Sequence, residues 1–164
     1  MKQLITIAAV VLVGCSNGTR MADVLVPPSD EKLLTDHIVE TAVRKSLKKS
    51  EGELTEADLG NVIELILTDT QITDEGLKEM AKLQRLETLQ LSYTRITDAG
   101  IKEVAKSQQL GSLFLTDTQI TDAGIKDVAK LQKLKMLRIR GTKVTKVGVA
   151  ELKEALPNCI IYGP

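Results

Sequence analysis

Apolar and polar residues alternate over short runs at four places in the chain: Leu65 and Leu67, Leu89 and Leu91, Leu113 and Leu115, Leu137 and Ile139. Alternation of this period predicts strands with one face buried. Four or five residues after each run the periodicity changes. In Thr97-Asp98-Ala99-Gly100-Ile101-Lys102-Glu103-Val104-Ala105-Lys106, the apolar Ile101, Val104 and Ala105 fall at i, i+3 and i+4, one stripe of a helix. Thr97 is placed to cap that helix, and Asp98 sits at its positive end. Each unit therefore reads as one strand, one turn and one short helix.

The unit recurs at a fixed offset. Leu65–Thr88 reads LILTDTQITDEGLKEMAKLQRLET, Leu89–Ser112 reads LQLSYTRITDAGIKEVAKSQQLGS, and Leu113–Met136 reads LFLTDTQITDAGIKDVAKLQKLKM. A fourth copy begins at Leu137 and a fragment of a fifth at Ile161, so every start is 24 residues from the last. Neither element buries its apolar side alone. Stacked copies align the strands into a parallel sheet backed by a row of helices. Strands stack about 4.8 Å apart, whereas a helix with its side chains is about 10 Å across. The helical side must be the longer one, so the stack curves with its sheet on the inside.

The positions Leu86, Leu89, Leu91, Thr94, Ile96 and again Leu110, Leu113, Leu115, Thr118, Ile120 resemble the leucine-rich-repeat pattern LxxLxLxxNxL over residues 62–162. The ITDxGxK segment is similar to the bacterial, ribonuclease-inhibitor-like subclass. The resemblance implies an α/β fold: a right-handed solenoid with a parallel sheet on its concave face and helices on its convex face. In this chain the family's Asn is Thr at Thr70, Thr94, Thr118 and Thr142. A hydroxyl still bonds backbone groups, with fewer donors than an amide, so these four are expected to form a structural Thr ladder.

Ahead of the repeats, MKQLITIAAVVLVGC has one Lys and an apolar run from Leu4 to Val13, too short for a permanent transmembrane helix and built like a secretory signal. Its end, Leu12-Val13-Gly14-Cys15, resembles the bacterial lipoprotein lipobox, which implies lipidation of Cys15 and a membrane-anchored protein of the bacterial envelope. A plain signal with an incidental Cys, or translation from Met21 to give a cytoplasmic chain, are the alternatives. Residues 1–14 are then the signal peptide and 15–29, with Pro27-Pro28, a flexible tether. From Ser29 or Asp30, SDEKLLTDHIVETAVRKSLKKS places Leu33, Leu34, Ile38, Val39, Ala42, Val43 and Leu47 at helical spacing, with Lys48 and Lys49 at the helix end. Leu54–Leu59 forms a second helical turn, and residues 30–62 together resemble the helical N-terminal cap of such proteins. At the far end Lys146 stands where the other copies have Asp, an unfavourable charge at a helix start. Leu156-Pro157-Asn158 halts that helix, and Ile160, Ile161 and Tyr162 are expected to close the stack against the fourth copy.

Charge changes the picture little. The chain has 22 basic and 22 acidic residues; loss of the signal removes one Lys and leaves a formal charge of −1. Such balance gives no electrostatic case for nucleic acid or anionic lipid. With Cys15 acylated, Cys159 has no intramolecular partner and is expected to pack as a small apolar side chain. His37, beside Asp36 and Glu40, has too few neighbours of the right kind for a metal site. Asp69, Asp74, Asp98, Asp117 and Asp122 recur with the repeat but lack the close-set, Gly-rich loops of calcium repeats. Asp74, Asp98 and Asp122 read as helix-start residues, and the column Lys78, Lys102, Lys126 beside Glu79, Glu103, Asp127 reads as a solvated face. No catalytic set, metal or cofactor site is expected, and the chain is not expected to be an enzyme.

The inner face of the sheet remains. Its middle column at 66, 90, 114, 138 and 162 is Ile, Gln, Phe, Arg, Tyr, and the next at 68, 92, 116 and 140 is Thr, Ser, Thr, Arg. The only aromatics, Tyr93, Phe114 and Tyr162, fall on or beside it. Aromatic and Arg side chains on one exposed surface are the usual anchors of a protein interface, so Ile66, Gln90, Tyr93, Phe114, Arg138 and Arg140 are the candidate ligand-binding residues for a protein partner. Three rival readings stand beside this one. The first is an envelope scaffold with no selected ligand, and the second, for a chain starting at Met21, a cytoplasmic adaptor similar to the substrate-binding repeats of F-box proteins. The third is an enzyme accessory or lytic enzyme of the cell wall, which would need an acid/base pair that the sequence does not offer.

Overall fold

Five short strands, one per 24-residue unit, pair side by side in chain order in a computed structural model whose described residues are 33–163. They are β1 (Glu64–Ile66), β2 (Thr88–Gln90), β3 (Ser112–Phe114), β4 (Met136–Arg138) and β5 (Ile160–Tyr162). All neighbours are parallel, and Leu65, Leu89, Leu113, Leu137 and Ile161 stand opposite one another. The repeat offset is therefore the sheet register. The alternation does its expected job: Leu65, Leu67, Leu89, Leu91, Leu113, Leu115, Leu137 and Ile139 are fully buried. Burying one such side chain stabilises by about 2 kcal/mol.

Between the strands lie the 3-10 helix Gly76–Lys82 and the helices α3 (Asp98–Val104), α4 (Asp122–Val128) and α5 (Lys146–Ala155). Ile101 and Val104 are fully buried and Ala105 nearly so, which is the predicted stripe. Thr97, Thr121 and Thr145 cap α3, α4 and α5 by accepting from the backbone N–H of Ala99, Ala123 and Gly148. The first unit departs from expectation, because its convex segment winds as a 3-10 helix. The later caps are each gripped by a carboxylate of the preceding unit, whereas among the described residues none holds Thr73.

That grip is a contact between repeats. Asp74 accepts the N–H and hydroxyl of Thr97, at 2.8 and 2.6 Å; Asp98 does the same for Thr121 and Asp122 for Thr145. Gly100, Gly124 and Gly148 make room for it. A Cβ on Gly124 would lie 2.3 Å from Asp98 Oδ1, closer than real Cβ contacts allow.

The four threonines expected to form a structural ladder bond backbone groups of their own units. Thr70, Thr94, Thr118 and Thr142 each donate to the carbonyl three residues back, Leu67, Leu91, Leu115 and Ile139, at 2.7 to 2.8 Å. The bonds close a turn within each unit rather than linking units. A hydroxyl has a single proton, and each of these is spent on that carbonyl.

Before the repeats stand α1 (His37–Leu47) and α2 (Glu56–Leu59). The helix expected from Ser29 or Asp30 starts seven or more residues later. Asp36 caps it, accepting from Ile38 and Val39, while residues 34–36 are non-helical and Thr35 gives its N–H and hydroxyl to Glu79. It also ends before Ser50, at left-handed Lys48, whose N–H and that of Lys49 return to Lys45 and Arg44. Helix α1 packs against β1 and the 3-10 helix, and Ser46 donates to the Glu64 carbonyl of β1. Thr55 and Asp58 form a capping box on α2, and Lys49 bonds Asp58 at 2.8 Å, tying α2 to the end of α1.

Glu79 corrects the expectation of a uniformly solvated convex face. It is only 7% exposed. Burial works to raise its pKa, but Lys82 and the two bonds from Thr35 outweigh that and hold the carboxyl below its usual range. Its counterparts Glu103 and Asp127 pair with Lys106 and Lys130, one turn on, rather than with Lys102 and Lys126.

Candidate functional site

The side chains that strands β2 to β5 turn away from the core line a hollow of about 900 Å³ on the sheet face. Of the six candidate residues it gathers Gln90, Tyr93, Phe114, Arg138 and Arg140. Ile66 is not part of its lining; it lies on β1, 47% exposed. Tyr162, Thr68, Ser92, Thr116, Asp117 and Gly141 complete the wall. Asp117 and Gly141 were not expected there. Their signal lay in the column 69, 93, 117, 141, one residue past the last outward strand position.

Every member of that column has a left-handed backbone, with φ of 57° at Asp69, 59° at Tyr93, 54° at Asp117 and 73° at Gly141. Aspartate and glycine tolerate this conformation. Tyrosine does not, and a bulky side chain there is an outlier that marks functional constraint more often than chance. Tyr93 is 58% exposed, so burial does little to offset the strain.

Parallel pairing sets Gln90, Phe114, Arg138 and Tyr162 side by side on adjacent strands. The Arg138 guanidinium carbon lies 5.4 Å from the Phe114 ring centroid and 5.2 Å from that of Tyr162. The cation is thus shared between two π faces. Gln90 is held from its other side, donating to Glu64 at 2.9 Å.

Other expected residues fall elsewhere. Cys15, with the signal and the tether, lies outside the described residues. Cys159 precedes β5, half-buried against the core, and burial pushes its thiol pKa up. His37 is an exposed first residue of α1. Asp74, Asp98 and Asp122 are occupied with threonines, and among the described residues no group of three or more potential ligands could hold a metal ion. Among the same residues no helix is long and apolar enough to cross a membrane.

In sequence, residues 61–81 and 82–105 match the family model of the leucine-rich repeat. No curated protein matches the chain. In structure it is similar to an internalin from Listeria monocytogenes, with a TM-score of 0.58 and 21% identity over 74% of this chain and 35% of that one. It is also similar to internalin C2 of the same organism, with a TM-score of 0.56 and 25% identity over 79% of this chain and 64% of that one. A leucine-rich-repeat protein of Leptospira interrogans aligns with a TM-score of 0.50 and 24% identity, over 66% and 27%. The chain spans less than two thirds of each neighbour's length. The 24-residue register, the parallel five-stranded sheet with its alternating helices and these likenesses agree: the chain folds as an α/β leucine-rich-repeat solenoid.

Proposed function

We propose that this protein is a recognition module that binds a protein partner through the hollow on its sheet face. The leucine-rich-repeat fold generally serves such binding. One observation carries the reading for this chain: its only aromatic residues, two Tyr and one Phe, all line that hollow. Random placement would scatter them, and a purely structural role would bury them. Instead Tyr93 and Tyr162 are 58% and 47% exposed. Large, stiff rings of this kind give contact area at little cost in side-chain entropy.

The lipobox-like Leu12-Val13-Gly14-Cys15 supports display on a bacterial envelope through a lipid at Cys15, with residues 15–29 as tether and 30–62 as cap. The helices α3, α4 and α5 favour the subclass with convex helices. Crosslinking in cells of the source, followed by capture of the protein, tests the binding face. Partners lost from the Phe114→Ala, Arg138→Ala variant support recognition; an unchanged set sinks the concave site and favours a scaffold. Radioactive fatty acid tests the anchor. Label in the membrane fraction that vanishes with Cys15→Ala supports it, and an unlabelled chain beginning at Met21 overturns the localisation.

A further inference from the structure

The hollow is built asymmetrically. Its charged side chains are Arg138, Arg140 and Asp117, a net charge of +1. Neither guanidinium has a carboxylate within ion-pair distance or donates a hydrogen bond among the described residues. By contrast Lys78, Lys82, Lys106 and Lys130 on the convex side are each paired with an acid one turn away. The carboxylate on the β1 side of the same face, Glu64, is engaged by Gln90.

Phe114 and Tyr162 stand on either side of the Arg138 guanidinium carbon, at 5.4 and 5.2 Å. Rings that occupy the two faces of a guanidinium leave its N–H donors at the edge. That fork fits a carboxylate with two parallel hydrogen bonds. Arg140 is two residues along the same row, so its side chain emerges on the same face, roughly 7 Å away.

We propose that this end of the sheet face is a receptor for an extended acidic peptide segment of a protein partner. An Asp or Glu side chain seats on the Arg138 fork between the two rings, Arg140 attracts a second acid, and the exposed Tyr93 ring covers the segment where it crosses β2. A surplus of one positive charge suits a peptide carboxylate. It is poorly matched to a polyphosphate backbone, which rewards many cations and would meet Asp117. The proposal rests on the reading of this face as a recognition surface and adds the chemistry it recognises.

A phage-displayed library of random heptapeptides, selected on the full chain, tests it. Selected sequences are expected to carry Asp or Glu at a fixed position. Synthetic labelled copies should lose tenfold or more in affinity when that residue is replaced by its amide, and likewise on Arg138→Gln and Arg140→Gln. Arg138→Lys should lose most of that too, because an ammonium keeps the charge without the fork. Circular dichroism of each variant establishes that it is folded. Selected peptides without acids, or amide copies that bind equally well, overturn the carboxylate assignment. If those peptides still need Phe114, recognition by the sheet face stands without it. Peptides indifferent to Phe114→Ala, Arg138→Gln and Arg140→Gln alike overturn both readings, and a library that yields no binder overturns the peptide receptor.

Discussion

The Asp98 carboxylate accepts the backbone N–H of Thr121 at 2.8 Å and its hydroxyl at 2.6 Å, across the boundary between two repeats. The same hydroxyl accepts from the Ala123 N–H at the start of α4. One repeat thereby orients the cap of the next helix. Asp98→Ala should cost about 2 kcal/mol, the scale of hydrogen bonds to a charged group, in urea unfolding. Gly124→Ala drives a methyl into Asp98 and should destabilise comparably. The double variant should lose less than the two losses added together; strict additivity would mean that the glycine and the aspartate are not partners.

Thr94 is 5% exposed and donates to the Leu91 carbonyl at 2.7 Å. Thr94→Val keeps the shape and removes the proton, so about 1–2 kcal/mol should be lost. A change within error would show that this bond contributes nothing.

The carboxyl of Asp58 is held down to about 2, from an ordinary 3.8, by the Lys49 ammonium first and then by the N–H and hydroxyl of Thr55. The backbone N–H and hydroxyl of Thr145 lower that of Asp122 in the same direction. A depressed acid stabilises the fold fully above its unfolded value and loses that contribution as pH falls through its folded one. Asp58→Asn should therefore lower the melting temperature at neutral pH, and its gap to the wild type should close between about pH 4 and pH 2. A gap that persists unchanged in acid would exclude the ionised carboxylate as its source.

Tyr93 is strained where its counterparts are Asp or Gly. Tyr93→Gly should raise stability by about 1 kcal/mol, the cost of a left-handed side-chain residue, while weakening partner capture. A stabilised variant that captures normally would separate the ring from binding.

Thr35, held by buried Glu79, joins α1 to the first repeat. Deleting residues 30–62 should uncover the apolar edge of that repeat and yield aggregates by light scattering. A soluble monomer with an intact sheet would refute the cap.

The fold was legible because it is written four times over, with a fragment of a fifth. A period that returns leucine to the same sheet position at 65, 89, 113 and 137 leaves little freedom in register. The first helix was harder. Leu33 and Leu34 extend the helical apolar spacing, yet Thr35 and Asp36 serve better as ligands to Glu79 and the helix start, and periodicity is blind to that competition. The pairing of Asp98 with Thr121 was also invisible, since a residue 23 positions away is a neighbour only once the repeats are stacked. For the candidate site, columns named the outward side chains. They did not show that Arg138 lies between two rings or that Tyr93 bends its backbone the wrong way, because both depend on three-dimensional placement.

The Asp-to-Thr grip also makes the repeat a directional building block, with an acceptor on one side and a donor on the other. An extra 24-residue unit inserted between the second and third copies would find both partners and should be accommodated as the neighbours are. A unit appended behind the fourth copy would present its threonine to Lys146, which has no acceptor to offer. Lys146→Asp would restore an acceptor at that end of the array.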